Sequence, residues 1–282
     1  MADSPSASRQ LARFTASLRL EDVPAPVRTR AKLHILDALG AGLASNAQEF
    51  AGKCAAGVRA MGSPGECSVV GRSERLELRD AALLNGILIH GLDFDDTHLE
   101  SIIHATATSL PVTLSLGEAL GASGADMLAA FLAGVETSIR TGGAARGGFH
   151  HVGYHATGVI SHFASAVVAG KLLGLNEDQI TCAQGIAGST ASGIQVFLEE
   201  GAWTKRFHPG WGAVAGITAA RLASEGFKGP SRVYEGKFGL FDTHLHGAEP
   251  DIGYIVDGLG SEWKFGDTAL KPYPVCHFIH GC

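Results

Sequence analysis

The sequence predicts a mainly α protein: a large all-α helical domain over residues 1–228, then the start of a smaller α+β region over 229–282. Three observations predict it. Apolar residues recur at helical rather than alternating spacing through the first 226 or so residues. The 282 residues include 38 glycines, with 45% hydrophobic and only 18% charged side chains, a composition suited to closely packed helices. From about 229 the texture changes, and "YIVDGLGSEWKFG" brings aromatic, β-branched and turn residues together.

Taken in order, residues 7–18 and 26–45 read as amphipathic helices, the second with Val27, Ala31, Leu33, Ile35, Leu36, Leu39 and Leu43 near helical spacing. Pro24 and Pro26 suit its entry, because a fixed φ and a missing N–H do no harm in a first turn. A third helix spans "AQEFAGKCAAGVRAMG" and stops at "GSPGE"; "CSVVG" then reads as a short strand, and "LRDAALLNGILIHGLDFDD" is helical up to Gly91. Helical patterns return at 105–121, 125–143, 157–173, 177–192 and 212–226, with Asp126 and Asn176 at or near N-terminal caps. No repeat of fixed period appears. The fifty residues after 229 hold too few strands to close a core of their own.

Bulk properties exclude several classes. A formal charge of −6 and no basic run beyond a dipeptide argue against nucleic acid as a partner, and leave a small anion as the ligand a local cation cluster can hold. No stretch offers the roughly 18 apolar residues of a membrane span, and the N-terminus lacks a signal-like apolar core. Five cysteines without CxxC spacing indicate neither a disulfide framework nor a zinc ribbon. We expect a soluble, cytoplasmic protein.

Four polar clusters interrupt the apolar helices: Asp93 to His104, "GGFHHVGYHATG", "EEGAWTKRFHPGWG" and "KPYPVCHFIH". HExxH, phosphate-loop, dinucleotide and nucleophile-elbow motifs are absent, so metal, nucleotide and serine-hydrolase chemistry find no motif. His151 and His155 stand four apart, but Gly148 and Gly153 argue against a helix that would align them. Lone histidines on apolar helices, His34, His90 and His162, read as locally hydrogen-bonded. What remains is acid–base chemistry without a cofactor: histidine moves protons near neutrality, aspartate orients it, and lysine or arginine holds a carboxylate. Taken singly, Asp93, Asp95 and Asp96 read equally well as helix caps, and Lys205 with Arg206 as a solvated pair.

In combination, "LDFDDTH", "GYHATGV", "AWTKRFHPGW" and "KPYPVCHFIH", in that order, resemble the MmgE/PrpD family, which includes 2-methylcitrate dehydratase, cis-aconitate decarboxylase and iminodisuccinate epimerase. The resemblance runs from about residue 8 to the end. It implies a helical domain with a smaller α+β lid, an active site between them, no metal or other cofactor, and a homodimer. It also implies chains that continue past residue 282, so the lid is unfinished here and an apolar seam is exposed. The implied catalytic residues are Asp93, His104, His155, Lys205 and His280. His104 or His155 would act as base or acid with Asp93 as orienter, Lys205 as carboxylate anchor and His280 closing the site. Thr97, Thr108, Arg206 and Lys271 are the implied substrate contacts. The expected reaction is a dehydration of a small di- or tricarboxylic acid, 2-methylcitrate-like, by proton abstraction beside a carboxylate. Decarboxylation of cis-aconitate type and epimerisation are the alternatives, and an inactive binding or dimerisation module is a further one. Asp93 behind the histidine is expected to raise its proton affinity.

Overall fold

The computed structural model describes residues 4–273 and 275–280, and its helices follow the expected order. They are α1 Ala7–Ser17, α2 Ala25–Ser45, α3 Glu49–Met61, α4 Leu78–Ile89, α5 Ala105–Leu120, α6 Gly124–Ala144, α7 Gly148–His151, α8 Ala156–Leu172, α9 Glu177–Gly188, α10 Phe197–Glu200, α11 Thr204–Ser224, α12 Leu240–His244 and α13 Ile252–Val256. Ser123 caps α6 by accepting from the Asp126 N–H, and Asn176 with Gln179 forms a reciprocal capping box on α9. The expected strand lies slightly earlier than "CSVVG": β1 (Pro64–Ser68) pairs antiparallel with β2 (Arg75–Leu76).

The core centres on α8, whose residues from Ala156 to Gly170 are all buried. A helix apolar all round belongs inside, and α5, α6, α9 and α11 enclose this one. Glycine lets two of the crossings close. A Cβ at Gly86 of α4 would stand 2.4 Å from the Gly210 Cα, and one at Gly212 would stand 2.4 Å from the Ser161 Cβ. The first turns of α11 are thereby pressed over the end of α4.

Two expectations need correction. α11 begins at Thr204, not 212, and carries Pro209 inside it, so "TKRFHPGW" is helix rather than loop. Pro209 stands sixth in α11, so the ladder lacks the one bond that its missing N–H would make to the Lys205 carbonyl. α2 buries Ala31, His34, Ala38, Ala41 and Gly42 and turns Leu33, Leu36 and Leu43 outward, at 54%, 66% and 56% exposure. The small residues permit close approach, and their face wins over the leucine face.

Beyond 229 the chain has no separate apolar centre among the described residues: Tyr234, Phe241, Ile255 and Phe265 join the same cluster as α5, α6 and α8. Each contributes about 2 kcal/mol by burial. Arg140 of α6, wholly buried, fastens this segment. Its guanidinium donates to the carbonyls of Asp257 (2.8 Å) and Glu262 (2.7 Å) and to Glu136 (2.9 Å), while Glu136 accepts from the Phe265 N–H. A two-residue ladder, β3 (Thr97–His98) with β4 (Thr268–Ala269), brings residue 271 beside residue 93. Among the described residues, no helix is long and apolar enough to cross a membrane.

Candidate active site

The three aspartates after α4 have three different surroundings. Asp96 is a brace: its carboxylate accepts from the His34 Nδ1 (2.6 Å), the Thr106 N–H (3.0 Å) and the Thr106 hydroxyl (2.5 Å), tying α2 to the first turn of α5. Asp95, fully buried, accepts from the His90 Nδ1 at 2.8 Å and stands 3.5 Å from the His104 Nδ1. Asp93 is partly exposed and faces Lys205 (2.8 Å), Lys271 (3.1 Å) and the His104 Nε2 (3.5 Å). Its φ of +52° is a left-handed conformation that aspartate tolerates better than most residues, and Lys271 also holds its carbonyl at 2.6 Å. Burial pushes the Asp93 carboxyl up, but Lys205, His90 and Lys271 outweigh it and bring it down to about 2.

His104 and His155 occupy matching places, each the residue at which a helix starts, α5 and α8 respectively. The His104 Nδ1 lies 3.1 Å from the Asp96 carbonyl, which can only accept, so Nδ1 carries the proton and Nε2 its lone pair. The His155 Nδ1 lies 2.9 Å from the His208 Nδ1, so one ring donates to the other. His90 joins them, its ring 4.7 Å from His104 edge-on and 5.6 Å from His155 in a stack.

Burial holds His104 well below the usual histidine range, and His90, Lys205 and Lys271 add to the effect. His155 is held low by burial with His90, Lys205 and His208. This corrects the expected rise in His104 proton affinity: desolvation and the cations around it exceed the pull of Asp93. The positive end of each helix acts in the same sense. Burial likewise brings His150 and His208 to about 4.

Both rings open on a cavity of about 270 Å³. Thr97, His150, Gln195, Lys205 and His277 line it with His104 and His155, and Leu99, Ile102, Phe197 and Leu198 form an apolar wall. A larger, shallower groove of about 770 Å³ beside Gly62, Asp80 and Arg221 has no histidine in its lining; the smaller cavity is where the histidines converge. Among the described residues, His90, His104 and His155 form one group able to hold a metal, and Asp93, Asp95 and His104 another, with ligand atoms within 4.8 Å of one another in each.

The sequence-derived residues divide accordingly. His104, His155, Lys205 and Thr97 line the cavity, and among the described residues the buried Thr97 hydroxyl has no hydrogen-bond partner. Asp93 and Lys271 lie behind it, paired with each other. Arg206 turns away, donating to the Gly91 carbonyl and resting 4.8 Å over the Phe50 ring. Thr108 is buried within α5, its hydroxyl spent on the Ala105 carbonyl. His280 bonds the Val275 carbonyl outside the cavity, where His277 lines the wall instead. His150, Gln195 and His208 were not singled out, and His90, read as locally hydrogen-bonded, does bond Asp95 but also packs against the site rings. His208 shares a helix face with Lys205, three residues before it, and was hidden because the sequence reading began this helix only at 212.

Residues 9–253 match the family model described as the MmgE/PrpD N-terminal domain. The chain belongs to the MmgE/PrpD family. Cis-aconitate decarboxylase of Aspergillus terreus is 31% identical over 283 residues, covering 96% of this chain and 58% of that protein. Cis-aconitate decarboxylase-like protein oryM of Aspergillus oryzae is 30% identical, over 96% of this chain and 59% of its own length. Human cis-aconitate decarboxylase is 32% identical, over 87% and 51%. This MmgE/PrpD chain thus spans between half and three-fifths of the curated relatives it matches.

Proposed function

We propose that this chain supplies the helical part of the active site of a cofactor-independent lyase acting on a small polycarboxylate, and that the reaction is loss of carbon dioxide from an unsaturated tricarboxylate of the cis-aconitate kind. One observation carries the reading: two buried, neutral imidazoles at two helix starts open on one small cavity that also holds Lys205 and an unpaired threonine hydroxyl. The names of the relatives above favour decarboxylation over the dehydration expected from sequence.

The cavity wall supports the same choice. A carboxylate that leaves as carbon dioxide passes from charged to neutral, so apolar neighbours such as Leu99, Ile102, Phe197 and Leu198 favour its departure. Lys205 anchors a carboxylate that stays. The carbon–carbon bond breaks, its electron pair shifts through the adjacent double bond, and the far carbon takes up one proton. The His155–His208 pair delivers it, because a bound polyanion raises the proton affinity of rings that cations otherwise hold neutral. His104, its Nε2 lone pair free, accepts the proton of the departing carboxyl group and so keeps it in the carboxylate form from which carbon dioxide leaves.

Proton NMR in deuterated water with cis-aconitate, citrate and 2-methylcitrate tests this. The expected result is a product one carboxyl group smaller with one deuterium on carbon. Vinylic signals from citrate or 2-methylcitrate without carbon dioxide would replace decarboxylation by dehydration. Absence of both product and deuterium exchange from a folded sample overturns the reading.

A further inference from the structure

The three rings at the site come from three elements, His90 at the end of α4, His104 at the start of α5 and His155 at the start of α8, and none is more than 9% exposed. Two of them have their protons placed. Asp95 takes the His90 Nδ1 proton and the Asp96 carbonyl takes that of His104, so each presents an Nε2 lone pair. Among the described residues the buried His90 Nε2 has no hydrogen-bond partner, a state that a native site rarely keeps without a ligand.

We propose that His90, His104 and His155 bind one divalent ion of borderline softness, Zn(II) or Co(II), with a fourth position open to the cavity. Three ligand atoms within 4.8 Å of one another approach a tetrahedral set, in which nitrogens about 2.1 Å from the metal lie about 3.4 Å apart. The rings therefore close in by about 1.4 Å at most. A carboxylate behind a ligating histidine is the arrangement that fixes its orientation and raises its basicity, and Asp95 stands so behind His90. Imidazole donors select zinc-like ions over Mg(II) and Ca(II). The second group, Asp93 with Asp95 and His104, is the poorer candidate because Lys205 and Lys271 already occupy Asp93. The ion takes the lone pairs of His104 and His155, so under the function proposed above it is an inhibitor; that last clause alone rests on that reading.

The test needs no substrate and is independent of turnover. The chelator-stripped chain is titrated with Co(II) at pH 7 while visible absorption is followed. The expected result is an intense tetrahedral band saturating at one equivalent, abolished by one equivalent of Zn(II) and untouched by Mg(II). His90→Gln and His155→Gln lose it, Asp95→Asn weakens affinity about 10- to 100-fold, and His151→Gln, on the exposed side of α7, keeps it. Circular dichroism identifies variants that fail to fold, and His155→Gln decides if His90→Gln does. No stoichiometric band, displacement by Mg(II), or a band that survives in a folded His155→Gln overturns the proposal.

Discussion

The starts of α5 and α8 read almost alike, His104-Ala-Thr-Ala and His155-Ala-Thr-Gly, and their histidines have nearly the same backbone, φ/ψ −81°/86° and −80°/104°. Their surroundings differ. At α5 the first turn is clasped by Asp96, and His104 has one fixed tautomer. At α8 the neighbour of His155 is another histidine, and a Cβ at Gly158 would meet that His208 ring at 3.0 Å. One local motif thus yields a histidine with a settled proton and a histidine that shares one. The difference teaches that the tautomer is set by what lies behind the ring, not by the helix start itself.

The largest effect expected from breaking this contrast is in turnover. His104→Ala should cost about 10²- to 10⁴-fold in kcat, measured by product NMR. His155→Ala should cost a similar factor, but His208→Asn should shift the pH profile of kcat and leave His104 chemistry in place. Identical pH profiles for His208→Asn and the parent would erase the distinction between the two ends.

Next comes acid sensitivity. His162, buried and donating from Nδ1 to the Gly158 carbonyl, is held at about 4, with burial the main cause. A depressed histidine stabilises the fold fully above its unfolded value near 6.5, and that contribution is lost as pH falls towards 4. From pH 7 to 5 His162 alone accounts for about 2 kcal/mol, and His150 and His208 act in the same direction. Urea unfolding at the two pH values measures the loss, and His162→Gln should shrink it. A stability flat across this range would show these rings to be solvated.

Smaller still, Asp96→Asn should destabilise by about 1–2 kcal/mol by loosening the α5 clasp, read from the urea midpoint. Lys271→Met should cost about 1–3 kcal/mol and raise the Asp93 carboxyl from about 2, visible in carboxyl NMR titration. If Lys271→Met leaves Asp93 unmoved, Lys205 alone sets that charge.

Much of the helical order was legible because long apolar runs at helical spacing are broken by glycine-rich turns, and capping residues such as Asn176 mark their own turns. The α11 start was hidden by Pro209 and two glycines, which read locally as a loop although packing on α4 and α8 makes them helix. The outward leucines of α2 were misread for a related reason: hydrophobicity indicates which side chains prefer burial, while helix approach selects for smallness. In the site, motif residues that reach the cavity, His104, His155 and Lys205, were found. His90 looked like any histidine on an apolar helix, because its significance lies in the rings of α5 and α8 brought against it. Thr108 and Arg206 were plausible by type, and their hydrogen bonds point elsewhere.

The two-residue ladder between β3 and β4 has a consequence in time. Lys271 reaches Asp93 across 178 positions of sequence, and a contact of that span closes only after the chain between has ordered. At about 5–20 residues per second of synthesis, roughly 9–36 s separate the emergence of the two residues. The nascent helices pack while Asp93 still lacks one of its two lysines, and the charge balance of the site is completed after the scaffold that surrounds it.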